Sequence, residues 1–257
     1  MSSEKRFGYE WNKYQNLDAN YEIQFKKWIT PLQPKDFKGK KVLDAGCGMG
    51  RNSFWVKKWG AKEVIAFDHD ERSVEAAKKN LSEFENIKVE FKNIYEIDWK
   101  NEFDLVFSIG VIHHLLDPLK AVKKLIEAVK PGGKILIWVY GYEGNEWIVK
   151  FVNPIRKNLT SKMPINIIHF LSYFVSIPLW LWVKVFRGPS AYLKQLSGFK
   201  FWHIHSIVFD QFIPEIANYW RKEEAISLLA KNYEIECVQI YHINNNSWTV
   251  LGQKKKV

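Results

Sequence analysis

Along the first 141 residues, short apolar runs alternate with longer amphipathic ones. "KKVLDAG" (40–46), "EVIAFDHD" (63–70), "IKVEFKN" (87–93), "FDLVFSIG" (103–110) and "KILIWVYG" (134–141) are rich in β-branched or aromatic residues and bounded by turn residues, which predicts strands. Between them lie "RNSFWVKKWG", "ERSVEAAKKNLSEF", apolar at Val74, Ala77 and Leu81, and "DPLKAVKKLIEAVKPGG". In the last of these, Pro118 marks a helix start and Pro131-Gly132-Gly133 its end. Strands alternating with helices of this length imply βαβ units and a parallel sheet. After Gly141 the alternation stops. It resumes with a helical pattern at 221–232 and two strand candidates, "YEIECVQIYH" and "SWTVLGQK", joined through Asn244-Asn245-Asn246, a hairpin turn. The expected organisation is an aromatic N-terminal segment (1–36), an α/β core (37–141 with 220–257) and a helical insertion (142–219).

"KKVLDAGCGMGRN" (40–52) carries glycines at 46, 48 and 50 between a strand and a helix. Such a loop offers bare backbone to a ligand at the switch point of an open α/β sheet. The spacing is G-x-G-x-G, with Arg51 where a dinucleotide fingerprint has its third glycine, so a pyrophosphate ligand loses support. Asp68 ends the second strand, where a carboxylate accepts hydrogen bonds from ribose hydroxyls.

In order and spacing, "VLDAGCGMG", "VIAFDHD", "VEFKNIYEID", "FDLVFSIGVIHHLLDP" and "VKPGGKILIWVYG" resemble the motifs of class I S-adenosylmethionine-dependent methyltransferases, of the small-molecule, type 11-like kind. The resemblance covers Phe37 to Gly141 and resumes weakly in the last two strands. It implies a Rossmann-like, seven-stranded, mostly parallel sheet of order 3-2-1-4-5-7-6, whose last strand lies antiparallel beside the fifth. It also implies S-adenosylmethionine as cofactor and S-adenosylhomocysteine as product. By the same resemblance, Asp44, Ala45, Gly46, Cys47 and Gly48 surround the methionine part, Asp68 holds the ribose and His69 flanks the adenine. Asn93 and Ile94 replace the usual Asp-Ala pair beside the adenine ring. Ser108, Gly110 and Val111 line the sulfonium and acceptor side.

Methyl transfer is an in-line displacement, which needs a general base only if the nucleophile starts protonated. His113 and His114, just past the fourth strand, are the candidates; the competing reading packs both at a helix start. Tyr9, Trp11, Tyr140, Trp147, His203, His205 and Asp210 are candidates for the acceptor side, and Tyr14 and Phe25 for covering the cofactor. "HIH" (203–205) with Asp210 lacks a third close ligand and reads as polar lining, so no metal is expected.

The chain carries a formal net charge of +10. Trp147 to Phe209 holds eight basic residues and no acidic one. Ile165–Val183 is 19 residues without a charge, long enough by count to cross a membrane. A single crossing there would separate the final strands from their sheet, and Pro178 is expected to break the run. The segment therefore reads first as a lid over the cofactor cleft, and second as an element lying on an anionic membrane surface beside a lipid-linked acceptor. The start of the sequence shows no apolar leader and there are two cysteines, which points to a cytoplasmic protein, with peripheral contact at the inner membrane face in the second reading. The expected function is methyl transfer to a small-molecule, sugar-linked or lipid-linked acceptor. The basic balance supports an RNA (tRNA) methyltransferase as the alternative, and a non-catalytic cofactor-fold binding protein ranks third.

Overall fold

Alternate residues of the central strands belong to different cores, and this period of two organises the molecule. The computed structural model describes residues 19–186 and 191–256. In β1 (Lys41–Ala45), Val42 packs with one apolar cluster and Leu43 with the other. In β5 (Val129–Tyr140), Ile135, Ile137 and Val139 face one side, Leu136 and Trp138 the other. Both faces must then be covered by helices. Pro118–Ala128 (α4) and Lys222–Ala230 (α9) cover the first face through Ala121, Leu125, Ala225 and Leu229. Ala19–Trp28 (α1) and Arg51–Lys58 (α2) cover the second through Phe25, Trp28 and Val56.

With β2 (Glu63–Asp68), β3 (Ile87–Phe91), β4 (Phe103–Ile109), β6 (Ile235–Ile243) and β7 (Ser247–Lys254), the sheet has seven strands in the order β3-β2-β1-β4-β5-β7-β6. The first five run parallel, and β7 lies antiparallel between β5 and β6, as the resemblance implied. Asn244 and Asn245 sit at φ 52° and 59°, the left-handed pair a tight hairpin requires. Between β2 and β3 runs α3 (Glu71–Asn80), whose N-cap Asp70 accepts from the amides of Arg72 and Ser73.

Two boundaries depart from expectation. Pro131-Gly132-Gly133 does not separate helix from strand: α4 stops at Ala128 and β5 starts at Val129, which pairs with Phe103. The register then shifts before Leu105 meets Lys134, so the Pro-Gly-Gly segment forms an irregularity within the strand. Pro178 also fails to break the apolar run. It lies inside one 22-residue helix, Ile165–Phe186 (α6). Its ring and Phe174, whose carbonyl loses the usual i+4 amide, both lie on the exposed side.

The insertion is helical: Asn153–Asn158 (α5), α6, Ala191–Ser197 (α7) and Phe201–Phe212 (α8). Helix α6 packs antiparallel on α8, Val183 meeting Ile204 and Ile168 meeting Phe209. Thr160 Oγ1 donates to the Phe212 carbonyl and Lys184 Nζ to that of Ser197, tying both ends of the pair. Phe25 is in the core, stacked on Trp59 with ring centroids 5.3 Å apart, and does not cover the cofactor cleft. Tyr9, Trp11 and Tyr14 lie outside the described residues.

Candidate cofactor and acceptor site

The carboxyl ends of β1, β2, β4 and β5 open into a chamber of about 1100 Å³. Ligand sites typically occupy roughly 300–1,000 Å³, so this space can hold a nucleoside cofactor together with part of an acceptor. Its floor is the glycine loop. Gly46 takes φ +77°, and a Cβ there would lie 2.3 Å from Val111 Cγ2. Glycine at 46 is thus required by the protein's own packing, before any ligand is considered. Gly48 also has a positive φ, 53°, and its amide donates to Asp68 Oδ2 at 2.9 Å.

Asp68 Oδ1 accepts from the Asp70 amide at 3.0 Å. These bonds fix the carboxylate at the chamber wall and leave each oxygen a second lone pair for a ribose hydroxyl. Burial raises the Asp68 pKa, against the lowering effect of the backbone amides. Asp44 lies behind the loop. Ser53 donates to its Oδ2 at 2.7 Å, while Oδ1 is buried without a partner. Burial pushes the Asp44 carboxyl up to about 7, opposed by the Ser53 bond. A glycine loop of open backbone with a carboxylate at the chamber wall that can still accept ribose hydroxyls fits a nucleoside. Gly46, Cys47, Gly48, His69, Asn93, Ile94, Gly110 and Val111 line the same chamber. The Asn93 Oδ1 accepts from the Tyr95 amide at 3.0 Å, orienting its amide group. His69 stacks on Phe91 at 5.4 Å, a platform beside the adenine position the resemblance gave. Burial pushes the Cys47 thiol well up, so it stays protonated.

On the side of the sheet, four expected site residues do not reach the chamber wall. Asp44 and Ala45 are behind the loop, and Ser108 is spent on a 2.9 Å bond to the Ala45 carbonyl. The fourth, His113, is fully buried, its ring stacked 3.7 Å from that of Tyr140, and neither ring nitrogen has a partner. It is a packing residue, held neutral by burial, which lowers its pKa well below the ordinary value. His114 does face the chamber. Its Nδ1 lies 2.8 Å from the Ile216 carbonyl. A carbonyl can only accept, so Nδ1 carries the proton and Nε2 is the basic nitrogen. Burial pushes its pKa down to about 4.

From the insertion, His203, Asp210 and Trp147 line the chamber, as does Tyr140 from β5. His205 does not. Two residues apart on a helix point to nearly opposite sides, and His205 bonds Ser176 Oγ through Nδ1 at 2.7 Å, between α6 and α8. His203 Nδ1 contacts the Tyr21 hydroxyl at 3.0 Å, its Nε2 is buried without a partner, and burial, then Arg51, drives its pKa down to about 3. Tyr21 and Trp28 of α1 lie under the Arg51 guanidinium, 5.0 and 5.4 Å from their centroids. The N-terminal helix, the glycine-loop helix and the insertion thus meet at Arg51. Sequence reasoning missed Arg51, Trp28, Trp138 and Tyr219 as chamber residues. They come from separate segments and share no motif, so only tertiary packing brings them together.

A family model described as "Methyltransferase domain" matches residues 36–162. A tRNA U34 carboxymethyltransferase of Campylobacter hominis is 30% identical over 145 residues, 52% of this chain and 48% of that protein. The chain spans about half the length of the curated relatives it matches. A S-adenosylmethionine-dependent methyltransferase from Aquifex aeolicus superposes with a TM-score of 0.56 at 16% identity, covering 96% of this chain and 98% of that one. The magnesium protoporphyrin IX methyltransferase of Synechocystis, solved with bound S-adenosylhomocysteine, gives 0.56 at 13% identity over 92% and 84%. Residues 36–162 thus match a methyltransferase domain, set in a seven-stranded sheet of the order β3-β2-β1-β4-β5-β7-β6 that the resemblance implied, and the solved methyltransferases share this fold.

Proposed function

We propose that this protein transfers the methyl group of S-adenosylmethionine to an acceptor seated under the insertion. The observation that carries this reading is the continuity of the chamber from Gly48 and Asp68 to His114, His203 and Asp210. When bound, the cofactor supplies an electrophilic methyl on a sulfonium, and the acceptor–carbon bond forms as the carbon–sulfur bond breaks. The protein's part is to hold donor and acceptor in line and keep water out. Asp68 anchors the ribose, the bare backbone at Gly46 and Gly48 admits the methionine part, and Trp28, Trp138 and Tyr140 wall the chamber with aromatic surface. His114 offers Nε2 to an acceptor proton. With a pKa of about 4 it suits a directing hydrogen bond better than proton removal, which favours a nucleophile with its lone pair already available.

For the acceptor, the name of the curated relatives supports a tRNA, and that reading stands ahead of the free small molecule the sequence suggested. The net charge of +10 supports it too. A second reading, a hydrophobic or lipid-linked acceptor, is favoured by the chamber wall that the insertion builds from Val175, Leu179, Leu193, Leu196 and Ile207. Incubation with methyl-labelled S-adenosylmethionine and either bulk tRNA or a membrane lipid extract separates them. Label in tRNA alone supports the first and removes the second; label in lipid alone does the reverse.

A further inference from the structure

Helix α6 buries a polar cluster and exposes most of its large apolar side chains. Its buried residues are His169, Ser172 and Ser176, with Ile168 and Val183 packed on α8, while Phe170, Leu171, Phe174, Ile177, Trp182 and Val185 are exposed. Phe170 is 60%, Phe174 67% and Val185 70% accessible. A helix on a protein surface in water shows the reverse pattern, apolar inward and polar outward. The polar inner stripe is not an accident of poor packing, because its groups are satisfied. Ser172 Oγ donates to the Ile168 carbonyl at 2.8 Å, Ser176 pairs with His205, and His205 Nε2 lies 3.4 Å from His169 Nε2. Phe151, Ile155 and Leu159, just before α6, are also exposed, at 60%, 52% and 57%. An apolar face of this extent on a soluble protein marks an interaction surface.

We propose that this face docks the protein on an anionic lipid bilayer, with α6 lying in the plane of the interface. Charge argues for lipid. Lys150, Lys157, Lys162, Lys184, Lys194 and Lys200 are exposed in the insertion, and Trp147 to Phe209 contains no Asp or Glu. Lysines flanking an apolar helix face are the pattern of an interfacial helix, where apolar burial and attraction to acidic headgroups add. Helix α6 is long and apolar enough to cross a membrane. It lies along the surface instead, because α8 runs back antiparallel against its polar stripe and returns the chain to the sheet. Val175 and Leu179 of α6 also line the chamber, so the docked face and the acceptor space share one helix. The inference rests on the surface and on neither acceptor reading.

The test is cosedimentation of the full chain with vesicles of pure phosphatidylglycerol and of pure phosphatidylcholine. The wild type should pellet with the first far more than with the second. The triple variant Phe170→Ser, Phe174→Ser, Val185→Ser should lose vesicle affinity by at least about tenfold, since three outward apolar side chains are removed. Its affinity for S-adenosylmethionine, measured by calorimetry, should stay at the wild-type value, which shows that the core is folded. The variant Lys150→Glu, Lys157→Glu, Lys162→Glu should lose binding to phosphatidylglycerol and recover none in added salt. Wild-type protein left in the supernatant with both vesicles overturns the proposal. So does a triple apolar variant that pellets like the wild type. Loss of tRNA binding, or of self-association on a sizing column, with vesicle binding unaffected would assign the face to RNA or to a second copy and equally overturn it.

Discussion

The sheet and the insertion obey opposite rules of polarity. In the sheet, Leu43, Phe107 and Ile137 are fully buried, and Asp68, at the end of β2, lines the chamber. In α6 the serines and histidine are inside and the phenylalanines outside. Burial of apolar area stabilises the first region in water by about 25 cal/mol per Å², whereas the second leaves that contribution unused until something covers it. The contrast sets a region whose apolar side chains are packed away from water against one that leaves much of its apolar surface exposed.

The comparison can be broken most sharply at Gly46. Gly46→Val places a side chain into Val111 at a positive φ, and should destabilise the fold by roughly 3 kcal/mol or more, seen as a large drop in urea midpoint without any ligand. A loss of cofactor affinity at unchanged stability would show that the loop is a ligand site only. Next in size is the pH response of Asp44. With its folded pKa raised to about 7, Asp44 binds more protons folded than unfolded between about pH 4 and 7, so its contribution to stability is lost as pH rises through 7. His114 and His203, lowered to about 4 and about 3, act oppositely: stability rises with pH up to about 6.5. Asp44→Asn removes the opposing contribution, so urea midpoints should climb more steeply than in the wild type between about pH 4.5 and 6.5. A parallel curve would refute the buried-carboxyl assignment.

His113→Phe sharpens the distinction between packing and chemistry. It keeps the stack on Tyr140 and removes two unpartnered buried nitrogens, so stability should hold or rise by about 1 kcal/mol with methyl transfer within about threefold of wild type. A collapse in turnover would restore His113 as a catalytic group. Smallest of all is Phe174→Ser on the outward face of α6, expected to shift stability by less than about 0.5 kcal/mol. A loss as large as that of a core residue such as Leu43→Ala, about 2–5 kcal/mol, would mean that the face is not free.

The α/β core was readable because each strand run is short, β-branched and closed by a turn residue, and because Gly46, Gly48 and Asp68 sit where backbone geometry demands them. The insertion was only half readable. Its apolar run and its lack of acidic residues are plain, but a proline predicts a break at Pro178, whereas a 22-residue helix continues through it with the affected carbonyl on the exposed side. The pairing of His203 with His205 was a reading along the chain, and helical spacing sends them to different sides. His113 shows the reverse limit. A polar ring next to the site invites chemistry, and its burial against Tyr140 becomes visible only in the fold.

Calorimetric titration with S-adenosylmethionine, on the wild type and Asp68→Ala, tests the central assignment most directly. Binding at one site per chain, weakened in the variant by roughly 1.5–3 kcal/mol as a charged hydrogen-bond partner is lost, is the predicted result. Equal affinity in both proteins, or no heat from the wild type, would contradict it.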